Sequence, residues 1–306
     1  MPDISVILPV YNGMDYLKQS VESVLEQKNA DFELIIIDDC STDNSNQYLQ
    51  SLNDKRLRLF TNESNKGLFW NLNFLISKAS APLIKLWAQD DIMYPECLSV
   101  FIEFHKNHSD IGFMYSMVRY IDELGAYSKP DKIDTTPEII SSDLHAHISF
   151  EYGCIAGNIS NTCITRKALD KVGLFNEQMR ISADFEMWVR IAQYYPIGFI
   201  KKSLIKLRDH DKQLSRNKKY YIDHVIEDLQ VYKYLQSYVS PYILRQGLRK
   251  FRENKLMFYY TLMVKALING DIITTIKYFK ILYKEYNFFI QTINFIRTKI
   301  YKPVNT

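Results

Sequence analysis

Two pairs of adjacent carboxylates mark the first hundred residues, Asp38-Asp39 and Asp90-Asp91, each close behind an apolar run. Neighbouring carboxylates at a strand end repel one another unless a cation or hydrogen bonds compensate. At Asp90-Asp91 a hard divalent cation shared with a substrate diphosphate would do so. Service as a helix cap would explain the pair equally, since aspartate favours the N-cap. A carboxylate of Asp38-Asp39 can accept from a nucleobase N–H or a ribose hydroxyl, or simply shape a turn. Tyr11, one loop away, suits stacking on a base or packing on a sheet rim.

The segments around these residues alternate between two hydrophobic periods. Ile4 to Leu8, Phe32 to Ile37, Arg56 to Phe60 and Pro82 to Trp87 are runs of strand length. Between them Leu17, Val21, Val24 and Leu25, and then Leu68, Leu72, Leu75 and Ile76, recur at helical spacing. Pro95 suits the first turn of a further helix. Strand–helix alternation with short connections predicts an α/β fold with a mostly parallel central sheet flanked by helices. Ligands bind such sheets beyond the carboxyl ends of the strands. That rule brings together three polar loops, Pro9 to Gly13, Asp38 to Asp43 and Gln89 to Pro95.

Further along, Ile111 to Met117 reads as a strand and residues 121 to 142 as a variable loop. Ile181 to Tyr195 reads as a helix, followed by short strands at Ile197 to Ile200 and Leu204 to Leu207. From about Asn217 the pattern is helical to the end, with a break at Gly270-Asp271. The expected division is a domain over residues 1–215 and an all-helical extension over 216–306.

Composition narrows the function classes. With 306 residues, 47% hydrophobic and 24% charged, the chain is of globular type. A net charge of +3 is too small for a general nucleic-acid binder. The four cysteines, Cys40, Cys97, Cys154 and Cys163, form no CxxC pair that would suggest zinc or redox chemistry. The start lacks the pattern of a signal peptide, and no stretch approaches about 18 uninterrupted apolar residues. The expected compartment is a reducing cytoplasm.

Four motifs then carry a resemblance. The segment ISVILPVYNGMDYLKQSVESVLEQKNADFELIIIDDCSTDNS (Ile4 to Ser45), NKGLFWNLN (Asn65 to Asn73), WAQDDIMYP (Trp87 to Pro95) and RISADFEMWVR (Arg180 to Arg190) occur in that order. Together they resemble the family 2 glycosyltransferases of the GT-A fold, over roughly residues 3 to 215. The resemblance implies a nucleoside diphosphate sugar donor, with uracil as the expected base. Pro9, Tyr11 and Asp39 would surround that base, with Lys66 and Asn71 near the donor phosphates or sugar. Asp90 would face the ribose or sugar, and Asp91 would bind Mg2+ or Mn2+ bridging the diphosphate. Many members read D-x-D-D where this chain has Ala88-Gln89-Asp90-Asp91, so one expected carboxylate is absent.

The resemblance makes Asp184 the catalytic base. An inverting transfer needs a group that takes the acceptor hydroxyl's proton as the oxygen attacks, and a carboxylate suits this. Trp188, four residues on, would share its helix face, either as a wall or sugar platform or as core, while Asp184 could alternatively cap the helix. Glu186 is the second candidate base. His210, in LRDHDKQLS, sits where some relatives carry a histidine near the diphosphate or metal, and an imidazole suits Mn2+ better than Mg2+.

The implied acceptor is a hydroxyl on a glycan or a lipid-linked precursor, and residues 121 to 165, with Asn158 and Asn161, would shape its side of the site. In the extension Phe289, Ile293, Ile296 and Ile300 follow helical spacing among Arg297, Lys299 and Lys302. Such a stripe packs on the preceding helices or another subunit, or lies on the inner face of an anionic membrane. Two other classes stay open to test: a non-catalytic subunit that recruits a partner enzyme through its helical tail, and a nucleotidyltransferase. The second would carry a basic, glycine-rich loop where this chain has Pro9-Val10-Tyr11-Asn12-Gly13.

Overall fold

Residues buried on both faces of a sheet read as unbroken apolar runs, and Ile4-Ser5-Val6-Ile7-Leu8 and Leu34-Ile35-Ile36-Ile37 form its centre. In the computed structural model these runs are strands β1 (Ile4–Val10) and β2 (Phe32–Asp38). The structure describes residues 1–130, 134–211, 213, 218–285 and 288–300. The chain continues through β3 (Leu57–Thr61), β4 (Leu83–Leu86), β5 (Ile92–Met93), β6 (Phe113–Ile121), β7 (Ile139–Ile140), β8 (Thr162–Thr165) and β9 (Ile197–Arg208). Helices α1 (Met14–Leu25), α2 (Ser45–Ser51), α3 (Leu68–Lys78), α4 (Cys97–Asn107), α5 (Ser142–Tyr152), α6 (Arg166–Val172) and α7 (Ala183–Ala192) lie between them. Pro95 precedes α4 rather than entering its first turn, because Glu96 is the N-cap.

The strand order is β3-β2-β1-β4-β8-β6-β9-β5, with β7 paired to β9. β3, β2, β1 and β4 are mutually parallel. The sheet then becomes mixed, since β8 runs antiparallel to both β4 and β6. The two short strands expected after Pro196 form one twelve-residue strand, β9, which runs parallel to β6. A register shift around Met117 on β6 lets the long pair stay in step. A local pattern reading divides β9 because Lys201 and Lys202 interrupt its apolar run while remaining in the strand, both exposed.

Glu33 ties the parallel strands together. Its Oε1 accepts from the hydroxyls of Ser5 and Ser80 and from Ser80 N–H, all at 2.7 Å, and its Oε2 accepts from Arg58 at 3.0 Å. Lys85 of β4 is fully buried, its ammonium donating to the main-chain oxygens of Leu86, Ser160 and Thr162. It also faces the rings of Trp87 and Phe101. Burial lowers its pKa to about 8.

The chain divides into two compact units. The first holds Met1–His145 and Ala156–Asn217, and the second Ala146–Ile155 and Lys218–Thr306. The expected boundary at residue 215 falls outside the described residues. The segment Ala146–Ile155, expected to belong to the sheet domain, is part of the helical unit, where Phe150 packs on Tyr232 and Glu151 pairs with Lys250. That unit also contains α8 (Tyr221–Tyr238), α9 (Pro241–Phe251), a π-helical turn, α10 (Met257–Ile268), α11 (Ile272–Glu285) and α12 (Phe288–Ile300). The break at Gly270 separates α10 from α11, with Gly270 at φ 76°. On α12 the expected stripe of Phe289, Ile293 and Ile296 is exposed, and Phe288, Gln291, Thr292 and Phe295 form the inward side. Lys302 lies outside the described residues.

Burial would raise the pKa of Glu33, but the hydrogen bonds from Ser80 and Ser5 and the contact with Arg58 outweigh it and hold the carboxyl below its ordinary 4.5. A depressed acid stabilises the fold above its unfolded pKa, and that contribution fades as pH falls through the folded value. The stability difference between wild type and Glu33→Ala, measured by urea unfolding, is therefore expected to be full at pH 7. It should shrink once the pH drops below 4.5.

Candidate active site

The three polar loops meet at the carboxyl ends of β1, β2 and β4, stitched by main-chain groups. Gln89 brackets Tyr11: its Oε1 accepts from Tyr11 N–H at 2.9 Å and its Nε2 donates to Tyr11 O at 3.0 Å. A side chain at position 13 would put its Cβ 2.5 Å from Gln89, so Gly13 is what lets the amide approach. Asn12, held at φ 48°, accepts from Thr42 N–H at 2.7 Å, and its own N–H donates to Ser41 Oγ at 2.9 Å. Gly13 N–H donates to Ser45 Oγ and Met14 N–H to Asp43 Oδ2, both at 3.0 Å. With these backbone groups satisfied, the Tyr11 ring stands 47% exposed, beside half-buried Pro9.

Asp39 is 2% exposed and organises the loop after β3. Its Oδ1 accepts from Asn62 Nδ2 at 2.8 Å and Lys66 N–H at 2.7 Å, and its Oδ2 accepts from Gly67 N–H at 3.0 Å. Asn62 Nδ2 also donates to Asn71 Oδ1, and Asn71 Nδ2 donates to Gly67 O, each at 2.8 Å. Both ends of the buried Asn71 amide are thus engaged within the loop. Lys66 is exposed. Asp38 is buried, with Ser41 N–H donating to it at 3.2 Å.

The second carboxylate pair divides its labour. Asp91 is 1% exposed, and its Oδ1 accepts from the main-chain N–H of Arg208 at 2.9 Å. Burial first, and then the charge of Asp90, raise its pKa well above the carboxylate range. Asp90 instead turns its Oδ2 to Nε2 of His210 at 2.9 Å. Asp91, expected to bind the cation, has one oxygen bonded inside the fold and almost no accessible surface, while Asp90, expected in support, is the one that meets His210. Arg208, itself 1% exposed, spends its guanidinium on Asp90 O, Asp122 O, Glu123 O and Gln19 Oε1. The group lies 4.4 Å from the Tyr16 ring, which packs 5.0 Å from the His210 imidazole. His210 also lines a cleft of about 470 Å³ with Asp122, Ser128, Asp209 and Asp211.

The pair of Asp90 and His210 is a donor set that suits a divalent cation. A hard carboxylate and a borderline imidazole nitrogen face each other at 2.9 Å. Among the described residues no group of three or more His, Cys, Asp or Glu could hold a metal alone.

Asp184 lies in the first turn of α7, half-buried, with Phe185 N–H donating to its Oδ1 at 2.7 Å. Glu186, the second candidate base, has one carboxylate oxygen engaged by Arg190 at 2.6 Å. Trp188 is fully buried, stacked on Phe113 at 4.4 Å and edge-on to Phe175, so it is core and no sugar platform. Asn161 donates to Ser116 O and Ala156 O, and Asn158 accepts from Ser160 N–H; both shape turns.

A sequence model of glycosyl transferase family 2 matches residues 5–173, more than half of the chain. The chain belongs to glycosyl transferase family 2. Its relatives in the family include an uncharacterized glycosyltransferase of Rickettsia felis, 30% identical over 221 residues, 70% of this chain and 35% of that protein. The putative glycosyltransferase EpsE of Bacillus subtilis is 30% identical over 251 residues, 79% of this chain and 86% of that one. The chain spans about a third of the length of the Rickettsia felis, Rickettsia conorii and Rickettsia bellii relatives. Among solved structures, S. aureus TarS 1-349 in complex with UDP-GlcNAc matches with a TM-score of 0.68 at 18% identity, covering 83% of this chain and 75% of that one. The fold is that of the GT-A glycosyltransferases.

Nothing in the sequence pattern singles out Gln89, Asn62 or Arg208. Arg208 sits at the end of an apolar strand, and only the return of β9 beside β5 and β6 shows what it holds. Arg208→Met should leave three part-buried main-chain oxygens without their donor and cost at least about 3 kcal/mol in chemical denaturation. Arg297→Met, on an exposed helix face, should leave stability unchanged within experimental scatter.

Proposed function

We propose that the chain transfers one sugar from a nucleoside diphosphate donor, UDP-linked, to a hydroxyl of a glycan or lipid-linked acceptor with inversion. The observation that carries this reading is the pairing of Asp90 with His210 at the rim of strands whose neighbouring loops present Tyr11 and the turn held by Asp39. Support for a uridine donor comes from the TarS structure, whose ligand is UDP-GlcNAc.

In this reading Tyr11 stacks on the base while Pro9 and the turn fixed by Asp39 frame it, with Lys66 extending toward the donor's negative charge. Asp90 and His210 would hold Mg2+ or Mn2+, and Asp91 serves beneath them as a structural acceptor for Arg208. A cation held there would neutralise charge gathering on the leaving diphosphate. Asp184 accepts the proton of the acceptor hydroxyl as its oxygen attacks the anomeric carbon from the face opposite the diphosphate. The bond to the diphosphate breaks as the new glycosidic bond forms, which inverts the configuration.

Calorimetry with UDP and Mn2+ tests the donor site. Asp90→Asn should lose most of the Mn2+-dependent gain in UDP affinity with little change in melting temperature. Asp91→Ala should cost about 2 kcal/mol of stability by orphaning the Arg208 N–H. The opposite pattern would return the cation to Asp91, and no nucleotide binding by wild type would favour a non-catalytic subunit. Asp184→Asn should bind UDP normally yet transfer on the order of a thousandfold more slowly; full activity on the true acceptor would remove Asp184 as the base.

A further inference from the structure

The helical unit leaves an ordered arrangement of side chains uncovered on its last two helices. On α11, Ile272, Ile276, Phe279 and Tyr283 recur at intervals of four, three and four residues and are 53%, 48%, 40% and 63% exposed. Lys277, Lys280 and Lys284 form a second exposed row on the same helix, about a quarter-turn from the apolar stripe at 100° per residue. Tyr278 and Leu282 face the interior on the remaining side. The layout around α11 is thus packed side, apolar stripe, cationic row.

Helix α12 repeats that layout. Phe288, Thr292 and Phe295 pack inward, where Phe288 and Phe295 approach Tyr260 and Phe288 meets Phe279 edge-on at 4.9 Å. Phe289, Ile293 and Ile296 form the exposed stripe. Arg297 follows on the same rotational side of the stripe as the lysines of α11, and is exposed. Between Ile272 and Ile300 the sequence has the five basic residues Lys277, Lys280, Lys284, Arg297 and Lys299 against the single acid Glu285.

We infer that α11 and α12 dock on an anionic lipid surface, lying in its plane with their stripes in the acyl boundary. A helix lying in an interface needs an apolar face flanked by cations. Long side chains a quarter-turn from that face reach the headgroups while their stems stay apolar. No described helix is long and apolar enough to cross a membrane, so the contact is one of surface. Charge decides against a second copy as the occupant: a two-fold contact through these stripes would bring two lysine rows toward each other with one acid per chain to offset them. A lipid surface bearing negative headgroups turns the same rows into attraction.

The test uses the full chain and flotation with vesicles of phosphatidylcholine alone or mixed equally with phosphatidylglycerol. The expected result is binding to the mixed vesicles, weakened by high salt, and little binding to the neutral ones. Replacing Lys277, Lys280 and Lys284 by Gln should weaken binding roughly a hundredfold, about fivefold for each charge. Ile276→Glu and Phe289→Glu, at stripe positions 48% and 78% exposed, should abolish it with unchanged circular dichroism and melting temperature. Equal binding to both vesicle types, or none to either, would overturn the inference. So would a concentration-dependent dimer in light scattering that the same two substitutions dissolve, since the face would then belong to a second copy.

Discussion

Much of the site hangs on one buried guanidinium. Arg208 has almost no contact with water, so each of its donors needs a fixed acceptor, and it finds them in the main chain at Asp90, Asp122 and Glu123 and in Gln19. A buried cation is tolerable only when well bonded, and meeting that demand locks together the end of β9, the turn before β5, the turn after β6 and helix α1. The same residue's main-chain N–H holds Asp91, and its stack on Tyr16 supports the ring that packs against His210. The orientation of Asp90 toward His210 follows from these constraints.

A comparable economy governs the other loops. Strand ends leave main-chain donors and acceptors without partners, and these must be met somewhere. Here they are met by short polar side chains from neighbouring loops: Gln89 for Tyr11, Ser45 for Gly13, Asp43 for Met14, Asp39 for Lys66 and Gly67. Polar residues that look available for ligand in the sequence are therefore consumed in holding the loops. What remains outward is the small set of groups whose backbones have been fixed for them, Tyr11 above all.

This explains which parts were legible in the sequence. The parallel strands β1 to β4 and helices α1 and α3 follow from apolar period alone, because each is one local element with one buried face or two. The convergence of three loops follows from the strand-end rule. The split of β9 at Lys201-Lys202, and the helical unit's claim on Ala146–Ile155, escaped because both depend on pairing with segments distant in sequence. So did the role of Trp188: an indole at helical spacing reads alike whether it faces a ligand or the core, and burial decides. Which of Asp90 and Asp91 accepts the Arg208 N–H is of the same kind, since adjacent residues point apart and the sequence does not say which side meets it.

The absent carboxylate at Ala88 has a consequence for the proposed reaction. Ala88 contributes its main-chain oxygen to Ser20 at 2.9 Å, and Gln89 is committed to Tyr11. On the proposed assignment the described residues then offer a cation Asp90 and His210. Two ligands, one of them an imidazole, hold a hard cation weakly, and six-coordinate ions of this class complete their shells from water or substrate phosphate. Nucleotide and cation would therefore bind as a unit, each raising the other's affinity by the same factor, as linkage requires. A site built this way keeps little metal at rest, and its affinity for the ion becomes a property of the donor that brings the diphosphate.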